Sequence, residues 1–251
     1  MTDTAQLPTA GATLAVTTWG SGPRAVLVHG GGAGGPAAFA QQEPLSGSYE
    51  LVLPDRPGSG RTPPDGPQDA VRDGGLVAEL LGDGAHLVGH SYGGVVAMVA
   101  AALRPAQVRS LTVIEPPVFQ LAADVPVVLD YWDELRAAVS HPDPTDRIRR
   151  FFASAGIEAP VPPALPPPLQ RLAEDLLTMR QPWDVALDLA ALRRLAVPKL
   201  VVSGDHREGF ERLADRLAGL LDAERAVVPG ARHAVQDTGE PFNQLLREVW
   251  R

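Results

Sequence analysis

The feature that most constrains this chain is a strand, a sharp reversal and a helix written across residues 85–103. Ala85-His86-Leu87-Val88 is a short apolar run with the length of a buried strand. Gly94 to Leu103 is a longer run of alanine and valine without proline, and it predicts a buried helix. Between them stands Gly89-His90-Ser91-Tyr92-Gly93, a Gly-x-Ser-x-Gly pattern. A serine at so tight a turn needs a strained backbone. Glycine is required on either side because a Cβ there would collide with neighbouring backbone. Such a turn holds the serine hydroxyl out of the sheet, with a helix N-terminus directly behind it. The five-residue pattern alone carries little. Its place between a strand and a helix predicts a nucleophile elbow with Ser91 as the nucleophile.

The rest of the chain repeats the alternation. Strands are expected at residues 12–19 (antiparallel), 25–28, 51–53, 108–114, 199–203 and 225–228. Helices are expected at residues 68–81, 210–221 and 240–250, the first with Val71, Leu76, Val77, Leu80 and Leu81 on its apolar side. Strands alternating with helices predict an α/β fold with a mostly parallel central sheet and helices on both faces. Residues 118–195 break the pattern. They hold Phe119, Tyr131, Trp132, Phe151, Phe152 and Trp183, a proline-dense stretch at 160–168, and helical patterns at 130–139 and 169–179. They are expected to form a helical cap inserted into one core made of residues 1–117 and 196–251.

Composition narrows the function. The chain has 251 residues and a formal net charge of −8, and no cluster of Lys and Arg exceeds two, which argues against a nucleic-acid partner. The absence of Cys excludes disulfides, thiol catalysis and thiolate metal sites. Residues 1–6 carry no basic group and no apolar core, so no signal peptide is expected. No apolar run reaches the length of a membrane span. A cytoplasmic protein acting on a small molecule, with no metal or cofactor, is the expectation.

In open α/β sheets ligands bind beyond the C-terminal ends of the strands. At those ends fall the glycine run after Val28, then Asp55, Ser91, Glu115, Asp205 and His233. No Gly-Lys-Ser/Thr follows the glycine run, which excludes a Walker loop, and no acidic residue completes a dinucleotide fingerprint. His29-Gly30-Gly31-Gly32 reads instead as a loop whose main-chain N–H groups meet an oxyanion. Asp55 and Arg56 are expected to brace their own loop. The set supplies what acyl transfer needs. A serine hydroxyl is a poor nucleophile without a base, an imidazole suits that task near neutrality, and a carboxylate holds the imidazole in one tautomer.

The order Ser, acid, His, with His-Gly-Gly-Gly and Gly-His-Ser-Tyr-Gly in place, resembles the α/β-hydrolase superfamily over nearly the whole chain outside the cap. Asp55-Arg56-Pro57-Gly58-Ser59-Gly60 resembles a loop of the same superfamily. The resemblance implies Ser91 as nucleophile and the N–H groups of Gly31 and Tyr92 as oxyanion donors, with Gly32 as a helper. It implies His233 as base because it follows the last strand, with His206 the rival among the six histidines. The superfamily's usual acid position falls on Arg207, which cannot serve. Asp205 is one candidate for the acid. Glu115 is favoured, because certain haloalkane dehalogenases and the lactonase that opens zearalenone take their acid from the corresponding strand end. Serine at the elbow implies acyl chemistry. The expected reaction is hydrolysis of a carboxylic ester or lactone of a medium-sized apolar molecule through an acyl-enzyme, with Trp183 the cap residue nearest the substrate. The rival readings are hydrolysis of a diketone C–C bond by the same residues and a non-catalytic hydrolase-like receptor.

Overall fold

The computed structural model describes residues 2–8 and 13–251. Its sheet comprises β1 (Thr2–Pro8), β2 (Thr13–Trp19), β3 (Arg24–Val28), β4 (Glu50–Pro54), β5 (Ala85–His90), β6 (Val108–Ile114), β7 (Lys199–Ser203) and β8 (Glu224–Val227). Their spatial order is β1-β2-β4-β3-β5-β6-β7-β8, with β1 and β2 antiparallel and the other strands parallel to one another. The expected α/β architecture is therefore present. Side chains alternate between faces as a pleated strand requires. Val26 and Val28 of β3 feed one apolar cluster and Ala25 and Leu27 the other.

Helices cover both faces. In chain order they are α1 (Gly35–Ala38), α2 (Ala70–Leu80), α3 (Tyr92–Leu103), α4 (Pro126–Val139), α5 (Pro144–Ser154), α6 (Pro167–Thr178), α7 (Leu189–Arg194), α8 (Glu208–Leu221) and α9 (Glu240–Val249). One cluster joins the sheet to α2, α3 and α8, and Phe242 and Leu246 of α9 pack into the other. Helix α3 is buried from Tyr92 through Ala101, which explains its all-round apolar sequence. No helix among the described residues is long and apolar enough to cross a membrane.

Several local expectations change. Ala12 lies outside the described residues, and the strand expected there runs over Thr13–Trp19. Strand β1 was not expected. It is an edge strand whose only strand partner among the described residues is β2, so no contiguous apolar run announces it. Helix α2 begins at Ala70 because the Asp69 side chain caps it, accepting from the N–H groups of Val71 and Arg72. Val71, expected on the apolar side, is 41% exposed in the first turn. Helix α4 starts before residue 130 because Pro126 suits a first helical turn. Helix α5 has the Asp- and Arg-rich sequence of a polar loop, yet Asp143 caps it and Arg147, Ile148 and Phe152 are buried. Between β6 and β7 the chain thus makes a helical excursion through α4, α5, α6 and α7, in the stretch expected to be a cap.

Four non-glycine residues with positive φ gather at the C-terminal edge of the sheet: Ser91, Glu115, Asp205 and Arg232. Strained backbone of this kind concentrates where a site dictates the geometry.

Candidate active site

The elbow is built from backbone contacts. Ser91 sits at φ 53° and ψ −125°, between the end of β5 and the start of α3. Its N–H donates to the Ile114 carbonyl of β6 at 2.8 Å. A Cβ on Gly93 would lie 2.3 Å from the carbonyl oxygens of both Val28 and His29, so only glycine lets α3 approach β3 this closely. The first N–H groups of a helix have no partner within it, and Tyr92 opens α3.

The glycine loop after β3 is braced from within. His29 Nδ1 lies 2.7 Å from the Gly30 carbonyl, which only accepts, so Nδ1 carries the proton. His29 Nε2 then accepts from the Arg56 N–H at 3.0 Å. Burial, followed by the nearby Arg56 charge, holds this imidazole neutral, its pKa well below the ordinary value. Arg56 reaches further than its own loop. Its guanidinium donates to the carbonyls of His29 (3.0 Å) and Gly30 (2.8 Å), pairs with Asp73 at 3.1 Å, and lies 4.9 Å from the Tyr92 ring centroid. Asp55 does brace its loop, accepting from the N–H groups of Gly35 (2.8 Å) and Arg61 (3.0 Å).

His233 and Glu115 meet across the sheet edge. Glu115 closes the ladder with its N–H on the Val202 carbonyl, then turns out at φ 44° before two prolines. Its Oε2 lies 2.7 Å from His233 Nδ1, and its Oε1 accepts from the Gly204 N–H at 2.9 Å. A carboxylate accepts, so Nδ1 carries the proton and Nε2 keeps its lone pair. Burial by itself raises the Glu115 pKa, but contacts with His206 and His233 outweigh it and bring the pKa to about 2. A Cβ on Gly204 would fall 1.8 Å from the Arg232 carbonyl, so this glycine lets the His233 loop lie against β7.

Asp205 stands apart. It is exposed, and its backbone N–H goes to Glu211 Oε1 at 3.1 Å. His206 lies beside Glu115, with Nδ1 3.3 Å from Oε1. His90, adjacent to the expected nucleophile, donates from Nε2 to the His233 carbonyl at 2.9 Å and accepts from Gln236 at 3.4 Å. No spacing rule relates residues 90 and 233, and none relates Arg56 to the glycine loop. The only sequence signal was the polarity of these groups amid apolar runs.

Ser91, Tyr92, Gly31 and His233 line a narrow cavity of about 60 Å³. Its far wall comes from the helical excursion, including Tyr131, Leu135, Phe151, Leu176, Met179 and Trp183. Among the described residues no Asp, Glu, Lys or Arg lines it. Gly32 is exposed beside Leu172 and lies outside that wall. An uncharged cavity over a serine, a carboxylate-bound imidazole and a helix N-terminus can hold an apolar carbonyl compound and stabilise charge developing on its oxygen.

The sequence profile of the alpha/beta hydrolase family matches residues 25–245. The chain is 32% identical over 256 aligned positions to part of the polyketide synthase ThaQ of Burkholderia thailandensis, covering 94% of this chain and 12% of that protein. It is 31% identical over 154 positions to a pimeloyl-[acyl-carrier protein] methyl ester esterase of Aeromonas salmonicida, covering 56% of each. The chain thus spans a small part of the first relative and little more than half of the second. The solved structure of an alpha/beta hydrolase from Sphaerobacter thermophilus superposes with a TM-score of 0.72 at 24% identity, covering 98% of this chain and all of that one.

Proposed function

The chain belongs to the alpha/beta hydrolase family, and from that premise we propose that it is a serine hydrolase cleaving a carboxylic ester or lactone of an apolar small molecule. The observation that carries this reading is the buried 2.7 Å contact between Glu115 and His233, on the wall of the cavity that also receives Ser91. In this mechanism His233 Nε2 takes the Ser91 proton as Oγ attacks the carbonyl carbon. The oxyanion is held by the N–H groups of Gly31 and Tyr92. His233 returns the proton to the leaving alkoxide, and the same base then activates water to release the acid. Glu115 keeps the imidazole in its Nδ1–H tautomer and stabilises the imidazolium. Residues 118–195 act as a cap whose apolar wall, Trp183 included, selects uncharged acyl groups.

A second reading is acyl thioester hydrolysis by the same residues. It is favoured by the similarity to part of a polyketide synthase over 94% of the chain, since polyketide assembly carries acyl groups as thioesters. Purified protein should be labelled by a fluorophosphonate at Ser91, and the same protein should be assayed on matched oxyesters, lactones and thioesters of one acyl chain. Turnover of oxyesters or lactones above thioesters supports the first reading, and the reverse order supports the second. Absence of labelling would remove both.

A further inference from the structure

Glu115 serves more than one imidazole. Besides His233 on Oε2, it has His206 Nδ1 at 3.3 Å from Oε1. The His206 N–H is not aligned on that oxygen, and neither ring nitrogen has a hydrogen-bond partner, although the side chain is only 6% exposed. A buried imidazole whose one polar contact is a poorly aligned carboxylate, and whose Nε2 has none, is incompletely satisfied, and its persistence asks for an explanation. The ring is tightly held. A Cβ on Gly156 would lie 2.6 Å from its Cδ2, and the Phe210 ring is 5.5 Å away. Nothing in the hydrolytic cycle uses it.

Glu115, His206 and His233 each present a ligand atom within 4.8 Å of the others. Two imidazoles and one carboxylate suit a borderline-soft divalent ion such as zinc. Magnesium and calcium want oxygen ligands throughout. Tetrahedral zinc with bonds of about 2.0–2.1 Å holds its ligand atoms about 3.4 Å apart, so modest closure of this cluster suffices. The Gly204 N–H already fixes one oxygen of the carboxylate from behind, as outer partners of metal ligands do. A surface hollow also borders the cluster, although both His206 ring nitrogens are themselves shielded from solvent. His206 forms part of a surface hollow with Asp205, Glu208, Glu211 and Asp215, whose charge exceeds that of Arg207 and Arg212 beside them. The hollow is separate from the apolar cavity, whose wall His206 does not join.

We propose that Glu115, His206 and His233 form an inhibitory site for a zinc-type divalent cation that enters through this acidic hollow. Binding replaces the proton on His233 Nδ1, which leaves to solvent, and draws the Glu115 carboxylate onto the metal. A cation on Nδ1 then strips His233 Nε2 of the basicity needed to take a proton from serine. The effect on turnover rests on the roles assigned to Ser91 and His233 above. The binding does not.

The test is calorimetric titration of the chelator-treated protein with zinc chloride. One saturable equivalent is expected, weakened at least tenfold in His206→Gln and in Glu115→Gln and unchanged in His141→Gln. No saturable binding, or equal binding by His206→Gln, overturns the proposal. Should the first two variants fail to fold, the zinc K-edge absorption spectrum of the wild type decides. Two imidazole nitrogens support the site, and fewer overturn it. Fluorophosphonate labelling of the wild type should slow at least tenfold with bound zinc, and equal rates with and without zinc overturn the inhibitory role. If labelling is absent even without zinc, the hydrolase reading fails while the titration still decides the metal site.

Discussion

His90 donates its Nε2–H to the backbone carbonyl of His233 at 2.9 Å, and the two rings lie 4.8 Å apart. The residue before Ser91 thus anchors the loop that carries His233, the proposed base. Burial, followed by the His233 charge, lowers the His90 pKa to about 3, so it stays a neutral donor. Gln236 fixes its other nitrogen. Replacing His90 by Phe should free the His233 backbone while keeping an aromatic ring in place. We expect kcat to fall about tenfold with KM nearly constant, the equivalent of one hydrogen bond. Steady-state kinetics on the best ester checks this, and a change confined to KM would contradict it.

Ser91 holds a conformation that glycine adopts without cost. Ser91→Ala should lower turnover by at least about 10⁴-fold and leave the melting curve in place. Ser91→Gly should lose turnover equally, yet gain about 1 kcal/mol of stability as the strain is relieved. Paired denaturant titrations of the two variants measure the difference.

Glu115 and Asp205 separate cleanly by mutation. Glu115→Gln keeps the shape but cannot hold the imidazolium, and kcat should drop by about 10⁴-fold. Asp205→Asn retains a residue that tolerates positive φ and should keep activity within about twofold. Loss in the Asp205 variant with retention in the Glu115 variant would reassign the acid.

Arg56 is buried with Asp73, and it also grips the carbonyls of His29 and Gly30. Arg56→Met leaves the Asp73 carboxylate buried against Arg72 alone and should cost about 3 kcal/mol. The double variant with Asp73→Leu should recover part of that stability. It should not recover activity, because the glycine loop stays unbraced. Urea melts and kinetics on the three proteins read the two effects independently.

His86 supplies a pH dependence far from the site. It packs on Trp250 with ring centroids 5.4 Å apart, and its Nδ1 lies 2.9 Å from Ser110 Oγ. Burial, then the Arg109 charge, lowers its pKa to about 4. Between pH 6.5 and 4 the unfolded chain therefore binds the extra proton and the folded one does not. Stability should fall as pH drops through that window and level off below it. In His86→Phe this component of the slope should vanish, which urea midpoints at pH 7, 5.5 and 4 will register.

Local pattern carried much of this. The strands at residues 25–28, 108–114 and 199–203 are covered on both faces at every residue but Arg109, and their prevailing apolar and β-branched side chains report that burial. Gly-His-Ser-Tyr-Gly was legible for the same reason, since the close approach of Gly93 to β3 admits no side chain and so dictates residue type. Strand β1 and helix α5 were not legible. The first depends on an edge partner, and the second buries a narrow stripe under a polar sequence.

The sequence by itself determined the order of parts along the chain: a glycine loop, an elbow serine, a carboxylate beside two prolines, and a histidine after the last strand. Only the tertiary structure decided which carboxylate stands against His233, that Arg56 holds the glycine loop, and that His90 and His206 flank the pair. The reason is physical. Period and residue type report how a segment is buried. Contacts such as that of Glu115 with His233 join positions 118 residues apart, and they exist only once the sheet has brought its strand ends together.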